Sequence, residues 1–568
     1  MHSEFKFHVL ISIAAALLFL PLIGSFDLFD WDELNFAESA REMLVSGNFA
    51  KVQIGFEPFW EKPPLFIWMQ ALCMKLFGVN EFAARLPNAI AGIITLNFLY
   101  FIGRKIRNHF MGMFWVLAYA GSIAPFLYFR SGIIDPVFNL FILCALYQLF
   151  LSEKASQNSE NPRGPLMLAA VFTGLAILTK GPVAALILIT VYGIRLFSNR
   201  KFVWHGWLNS LLAITTCIAI AGLWFIPEWI HSGSWFLKEF IHYQTTLFKG
   251  QIEWHNQPWY YHIVVLLFLC FPASIFALPY LVRNSEYAGT DKVWSSYMRS
   301  MFWVVLVIFS LSTTKIIHYS SICWFPISWF AGSALYRNYT NRGKIHWAIY
   351  VVSILVAFAL AAVMAGIPAL LSNTSFEQFV SSKVTDPHFR QYIAAAKPHW
   401  SGFEIIIPIA FILAVLILML RKGKNPTHLF LSTLALSFLL GIVYLPRAAK
   451  SLQGDYTSAL KKLQHSNSYV ESWGFKTYAV YFYTQAKPEI VRGKWDSIQA
   501  DFKEFPNPGY YARSYFLHNK PMDKEIYIFT RVQFKPDVYF LEKFKLEKTL
   551  GPYLMWKRKD KTASDPRL

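Results

Sequence analysis

The sequence predicts an all-α polytopic membrane protein of about thirteen transmembrane helices, with a small α/β domain at its C-terminal end. Three observations carry this. Of 568 residues, 55% are hydrophobic and 15% charged, where a soluble domain carries about 25% charge. The apolar residues gather into runs long enough to cross a bilayer, about 20 residues per helix. After residue 450 the composition changes: Lys, Asp, Asn and Pro become frequent, and the short aromatic runs Tyr478–Tyr483 and Glu525–Phe529 read as strands. A disordered chain, a collagen, a coiled coil and a disulfide-stapled domain are excluded. The formal charge is +19, but Lys and Arg punctuate the apolar runs. That pattern is a topology signal and argues against a nucleic-acid partner. The five cysteines lie inside apolar stretches with no CxxC pair and read as small buried hydrophobes.

In order along the chain, the spans are expected at 8–26, 82–103, 110–129, 136–151, 166–179, 181–198, 208–226, 259–281, 300–313, 316–335, 346–369, 403–420 and 428–446. The first run has no small-residue cleavage site near Pro21 and reads as a retained helix. Lys180-Gly181-Pro182 leaves so short a gap that a hairpin or a kink fits equally well. Basic clusters follow the second, sixth, tenth and twelfth runs: Arg104, Lys105 and Arg107; Arg195, Arg200 and Lys201; Arg337, Arg342 and Lys344; Arg421, Lys422 and Lys424. Thirteen spans put all four on one side, which is then cytoplasmic together with the N-terminus. The acidic loop 27–81, the loops 227–258 and 370–402, and everything after 447 fall outside. The expected division is a membrane domain, 1–450, and a soluble periplasmic domain, 451–568.

Loop 27–81 carries the chemistry. Leu34, Ala37, Ala40, Met43 and Leu44 follow Asp30-Trp31-Asp32-Glu33 at helical spacing and stop at Gly47-Asn48. Glu61-Lys62-Pro63-Pro64 opens a second helix running to Gly78. Two amphipathic helices on the membrane surface would hold Asp32 and Glu61-Lys62 at the headgroup plane. A carboxylate there can take a proton from an attacking hydroxyl, and a lysine can hold a phosphate. The plainer reading has the acids capping helices and Lys62 snorkelling. Asp135-Pro136, after Arg130-Ser131-Gly132, adds a carboxylate at the outer end of the fourth span, where an ionisable group usually faces a cavity.

Read in order, Asp32-Glu33, Ala37-Glu38, Ala40-Arg41-Glu42-Met43, Glu61-Lys62-Pro63-Pro64 and Phe77-Gly78-Val79-Asn80-Glu81-Phe82-Ala83-Ala84-Arg85-Leu86-Pro87 resemble the bacterial lipid-linked-sugar glycosyltransferases of the GT-C superfold. These include the 4-amino-4-deoxy-L-arabinose lipid A transferases and relatives of the protein O-mannosyltransferases. Thr179-Lys180-Gly181-Pro182, Pro258-Trp259-Tyr260-Tyr261 and Ser312-Thr313-Thr314-Lys315 with Tyr319 agree with it. The resemblance implies an inverting transferase whose donor is a sugar on polyprenyl (undecaprenyl) phosphate, acting on the outer face of a bacterial inner membrane. The acceptor it implies is lipid A, another glycolipid or a protein. By the same resemblance Asp32 and Asp135 are catalytic, and Lys62 and Tyr319 meet the donor phosphate. Glu33 beside Asp32 is a further catalytic candidate, Lys315 a further phosphate candidate, and Lys180 either meets the phosphate or snorkels. Glu61 with His242 or His255 would bind a divalent metal ion, and no other cofactor is implied. Asn35-Phe36 stands where the arabinose transferases carry an Arg-Tyr pair, and Thr245-Thr246 where they carry a further arginine, so the donor region here has less charge.

The histidines and tryptophans around 224–262 also fit an interfacial belt. Asn373-Thr374-Ser375 is a formal glycosylation sequon without consequence in a bacterial chain. A transporter or flippase of lipid-linked sugars would show an internal repeat and broken mid-membrane helices; the acids here lie at the outer edge. A scaffold that only displays the tail leaves the acids without a purpose. The topology is tested with reporters fused after residue 450: an alkaline phosphatase that needs the periplasm is active there, and a reporter that needs the cytoplasm is silent. The opposite pattern means one span has been miscounted.

Overall fold

The computed structural model describes residues 2–30, 32–59, 61–198, 205–249, 257–282, 289–340, 345–420, 425–464, 466, 468–488, 501, 508–520 and 524–559. Each of the thirteen apolar runs falls on helix. Among the described residues seven helices are long and apolar enough to cross a membrane: Glu81–Ile106, Asp135–Gln157, Arg163–Lys180, Trp207–Ser232, Asp291–Leu311, Trp347–Leu371 and Thr427–Lys462. Phe389–His399 and Phe403–Ile417 qualify together as a pair bent by 79°. The other runs are shorter or interrupted. The run 110–129 divides into His109–Ala120 and Ile123–Tyr128 at Gly121. The run 259–281 divides into Tyr261–Leu269 and Ala273–Val282, because Pro272 supplies no N–H to continue a helix. The run 316–335 opens as a tight 3₁₀ turn, Ile317–Cys323, before Trp324–Tyr339.

The membrane core is built on three buried indoles. Trp115 lies 4.8 Å from Trp329, and Trp294 lies 6.3 Å from Trp329, centroid to centroid. Two of their N–H groups find partners in the apolar interior: Trp115 Nε1 donates to Ser328 Oγ and Trp329 Nε1 to Ser295 Oγ, each at 3.0 Å, while Trp294 Nε1 has none among the described residues. Glu81–Ile106 and His109–Ala120 approach at Gly103 and Gly112, where a methyl on Gly112 would sit 2.6 Å from the Tyr100 carbonyl.

Loop 27–81 folds as its punctuation predicts. The first helix is Asp32–Ser46, followed by Gly47 at φ +70°, and the second is Leu65–Phe77, followed by Gly78 at φ +81°. The expected wet face of the first helix is absent: every residue from Glu33 to Met43 is buried. The tail covers it, since Tyr456, Leu460, Tyr478, Ala479 and Phe482 share one apolar cluster with Leu34, Phe36, Ala37, Ala40 and Met43. The charges beneath are internally satisfied. Glu38 pairs with Arg41 at 2.6 Å, and Glu42 accepts the N–H groups of Gly55 and Phe56 at 2.6 and 2.7 Å. Burial and the neighbouring Glu38 carboxylate push the Glu42 carboxyl well above its ordinary range.

The tail's sheet orders its strands Ser468–Trp473, Glu525–Arg531, Tyr553–Arg558 and Phe544–Leu550. The first two are parallel and the other pairings antiparallel. Glu525–Phe529 is a strand as expected. Tyr478–Tyr483 is not. It lies on the helix Ala479–Thr484, whose first turn is capped by Thr477 and packs on the first-loop helix, so tertiary packing overrides aromatic β-propensity. The division expected at 450/451 falls inside the continuous helix Thr427–Lys462.

Two buried arginines fasten the end of the bundle that carries the first loop. Arg85 donates to both carboxylate oxygens of Glu33 at 2.9 and 2.8 Å, and to the carbonyls of Ile23, Phe26 and Asp27 at 2.7, 2.9 and 3.0 Å. Arg130 donates to the carbonyls of Leu18, Phe19 and Pro21, closing the C-terminal end of His2–Phe19. Removing one partner of a buried ion pair costs about 3–5 kcal/mol, because the other charge is stranded. Arg85→Leu is therefore expected to lower the unfolding midpoint of the purified protein in detergent sharply. Arg85→Lys restores only part of the loss, since an ammonium cannot span the carboxylate fork and three carbonyls at once.

Candidate active site

Five segments converge at one end of the bundle. Asp32 and Glu33 begin the first-loop helix, and consecutive helical residues point about 100° apart. Glu33 faces inward. Its two oxygens accept Arg85 twice, Phe29 N at 2.8 Å and Gly132 N at 2.5 Å. Asp32 faces outward, its side chain 37% exposed. The sequence reading placed Glu33 among the catalytic residues; its acceptor positions are instead filled by the protein.

Asp135 heads the helix Asp135–Gln157 with Pro136 behind it, and its side chain is 2% exposed. The turn before it is pinned by Asn88, whose amide donates to the carbonyls of Ser131 and Ile133 at 2.6 Å each. Lys180 ends the helix Arg163–Lys180, closed by Gly181 at φ +97°. A cation is favoured at that end of a helix. Lys180 Nζ lies 2.5 Å from Asp135 Oδ1 and 5.1 Å from the centre of the Tyr319 ring.

His318 and Tyr319 arrive on the 3₁₀ turn. His318 Nε2 lies 3.7 Å from Asp32 Oδ2 and 4.0 Å from Asp135 Oδ2, so the imidazole stands between the two carboxylates. Tyr319 lies within electrostatic reach of Asp135, Asp32 and Glu61. Lys62 comes from the loop before Leu65–Phe77, half-buried, its Nζ 5.1 Å from the centre of the Tyr243 ring. Burial lowers the pKa of its ammonium, while Glu61, Asp32 and Asp135 act in the opposite sense. Tyr243 hydrogen-bonds Glu61; burial and that carboxylate push its phenol well above the ordinary range, so it remains a donor.

Lys315 does not join the cluster. It is buried, and its ammonium donates to Ser312 O at 2.7 Å. His242 is exposed on the helix Ser234–Lys249, and His255 lies outside the described residues. Among the described residues no group of three or more His, Cys, Asp and Glu is placed to hold a metal ion. Glu61, the expected metal ligand, is engaged by Tyr243 and faces the Lys62 ammonium. The donor set therefore does not fit a divalent cation.

Sequence reasoning missed His318, Arg85 as an organiser, and Tyr243. His318-Tyr319 was visible as a polar pair at the outer edge of an apolar run, the position where ionisable groups usually face a cavity. Arg85 gave no signal of its own, because its partners lie far away in the chain.

Known proteins with this arrangement bear on its use. Residues 61–231 match the family model described as dolichyl-phosphate-mannose-protein mannosyltransferase. The chain is 24% identical, over 58% of its length and 59% of the relative's, to the undecaprenyl phosphate-alpha-4-amino-4-deoxy-L-arabinose arabinosyl transferase 1 of Proteus mirabilis. It is 25% identical, over the same shares, to the corresponding transferase of Pseudomonas aeruginosa. It thus spans about three fifths of the length of the curated relatives it matches. The crystal structure of ArnT from Cupriavidus metallidurans bound to undecaprenyl phosphate superimposes with a TM-score of 0.75 at 16% identity, covering 98% of both chains. Its apo state gives 0.71 at 15% identity, again over 98% of both chains. Across its whole length, the chain has the fold of ArnT.

Proposed function

We propose that this protein is an inverting glycosyltransferase. It moves a sugar from polyprenyl (undecaprenyl) phosphate to an envelope acceptor on the outer face of the bacterial inner membrane. The sugar is 4-amino-4-deoxy-L-arabinose or a relative, and the acceptor is lipid A, a related glycolipid or a protein. The observation that carries the reading is the gathering of Asp32, Asp135, Lys62, Lys180, His318 and Tyr319 at one end of an ArnT-like bundle. The match of residues 61–231 to the protein mannosyltransferase model supports the same reaction class and keeps a protein acceptor in view. The basic loops and apolar runs support thirteen spans, a cytoplasmic N-terminus and a periplasmic 451–568 region.

In the proposed step the acceptor oxygen forms a bond to the anomeric carbon. The bond from that carbon to the phosphate oxygen breaks, its electron pair leaves on the polyprenyl phosphate, and the configuration inverts. Lys62, Lys180 and Tyr319 are the donor-phosphate groups, two ammoniums and a phenol aimed where charge develops. A lysine has three N–H donors, so Lys180 can keep Asp135 and still reach a phosphate. Asp32, the exposed carboxylate, faces the acceptor with His318 beside it. Glu33 is a positioning residue acting through Arg85 and Gly132. The energy of the donor bond drives the transfer, so no nucleotide is needed, and no step passes through a metal ion.

Asp32→Asn is expected to lower transfer about 10²–10⁴-fold, as loss of a carboxylate that orients the acceptor for its proton transfer does, while the protein still purifies folded. Turnover of undecaprenyl-phosphate sugar by purified enzyme measures this, and near-normal turnover removes Asp32 from the mechanism. Lys62→Ala is expected to weaken undecaprenyl-phosphate binding in nanodiscs by about 2–4 kcal/mol, the scale for losing one partner of a shielded charge pair. Lys62→Arg recovers only part of it. Unchanged affinity in Lys62→Ala would leave the phosphate to other cations.

A further inference from the structure

We infer that the group glycosylated is a neutral hydroxyl rather than an ionised phosphate, and that His318 takes its proton. The inference rests on the glycosyl-transfer reading above and narrows its acceptor.

The first ground is geometric. Nε2 of His318 is 3.7 Å from Asp32 Oδ2 and 4.0 Å from Asp135 Oδ2, too far for direct hydrogen bonds. An acceptor oxygen seated between His318 and Asp32 would lie about 2.8 Å from each, the ordinary O–H donor distance. An imidazole placed there has work to do only if the nucleophile carries a proton. An ionised phosphate attacks with no proton to give up, whereas a hydroxyl must lose one as its bond to the anomeric carbon forms. The proton lands on Nε2, and the imidazolium so formed faces two carboxylates.

The second ground is charge. The charged groups facing His318 are Asp135, Asp32, Lys180 and Lys62. Glu61 joins through Lys62, so among the described residues the cluster holds three carboxylates and two ammoniums. Other nearby cations are engaged: Arg85 by Glu33 and three carbonyls, Arg130 by the end of the first helix, and Lys315 by Ser312 O. The donor phosphate uses Lys62 and Lys180. A second phosphate on the acceptor would then sit against Asp32 and Asp135 with no further cation among the described residues to offset it, and like charges in a shielded site repel strongly. A hydroxyl adds no charge. His262 reaches Ser320 Oγ at 3.1 Å and Lys315 donates to Ser312 O, so neither takes the place of His318.

The test uses purified full-length enzyme in nanodiscs with labelled undecaprenyl-phosphate sugar. The acceptors are a lipid extract and, separately, the protein fraction of membranes from the producing cells. Products are first separated from unreacted donor, itself a glycosyl phosphate, and then treated with mild acid, which cleaves glycosyl phosphates and spares ordinary glycosides. The expected result is label that survives acid, in the lipid arm for a glycolipid hydroxyl or in the protein arm for a side-chain hydroxyl. Wild-type kcat/KM should also fall about tenfold per pH unit below the imidazole pKa. In His318→Gln and His318→Asn that acid limb should vanish and the rate drop about 10²–10⁴-fold, with donor-lipid binding and the unfolding midpoint unchanged. Label released by acid overturns the hydroxyl acceptor. An acid-stable product made by His318→Gln at the wild-type rate, with the acid limb intact, overturns the role of His318. If both variants misfold, the linkage and the wild-type profile still decide the acceptor. Failure of wild-type enzyme to consume the donor at all contradicts instead the glycosyl-transfer reading beneath.

Discussion

The buried pair between Glu33 and Arg85 is the interaction on which the first-loop end of this protein depends. Arg85 lies on the helix Glu81–Ile106, Glu33 begins the first-loop helix, and Gly132, which donates to Glu33, belongs to the turn leading into Asp135. One ion pair thus ties together three segments distant in sequence. Placing two charges in a dry interior costs several kcal/mol per ion, offset only where their remaining hydrogen-bonding positions are filled. Here Glu33 receives four hydrogen bonds and Arg85 also meets three carbonyls. The consequence is positional. With Glu33 held, the preceding residue, Asp32, turns its side chain outward, and Asp135 is brought to the other side of the His318 ring.

The cluster that results is nearly balanced in charge before any ligand enters. Lys180 answers Asp135, Lys62 stands near Glu61, and Asp32 is the carboxylate left open. Such an arrangement has a direction, with ammoniums on one side and an open carboxylate with an imidazole on the other. It suits a reaction in which negative charge leaves toward the lysines while a nucleophile arrives from the acids. The tail belongs to this architecture. It buries the first-loop helix, and Lys461 ties it to Asp27 and Glu81 at 2.6 and 2.7 Å.

Much of this was legible in the sequence, for identifiable reasons. The two first-loop helices and their ends were readable because Gly47 and Gly78 adopt positive φ, a conformation other residues avoid. Asp135 was readable because proline follows it at a helix start. The choice between Asp32 and Glu33 was not, since two adjacent acids look alike until Arg85, 52 residues on, selects one of them. The choice between Lys180 and Lys315 depended likewise on packing across the bundle. His318, beside the recognised Tyr319, depended on packing too, since only the fold brings its ring between Asp32 and Asp135. The first-loop helix looked amphipathic because its charges are satisfied by one another and its outer face by the tail, and neither fact is local to its sequence. The segment 478–483 was taken for a strand for the same reason, its conformation being set by the helix it packs against.

The most direct test of the account is a structure of this protein in nanodiscs with undecaprenyl phosphate bound. The phosphate is expected within about 3 Å of the ammoniums of Lys62 and Lys180, beside the Tyr319 ring, with Asp32 and His318 facing it across an open gap. A phosphate seated on Lys315 or on the tail, with Lys180 still closed on Asp135 and Lys62 turned to Tyr243, would contradict it.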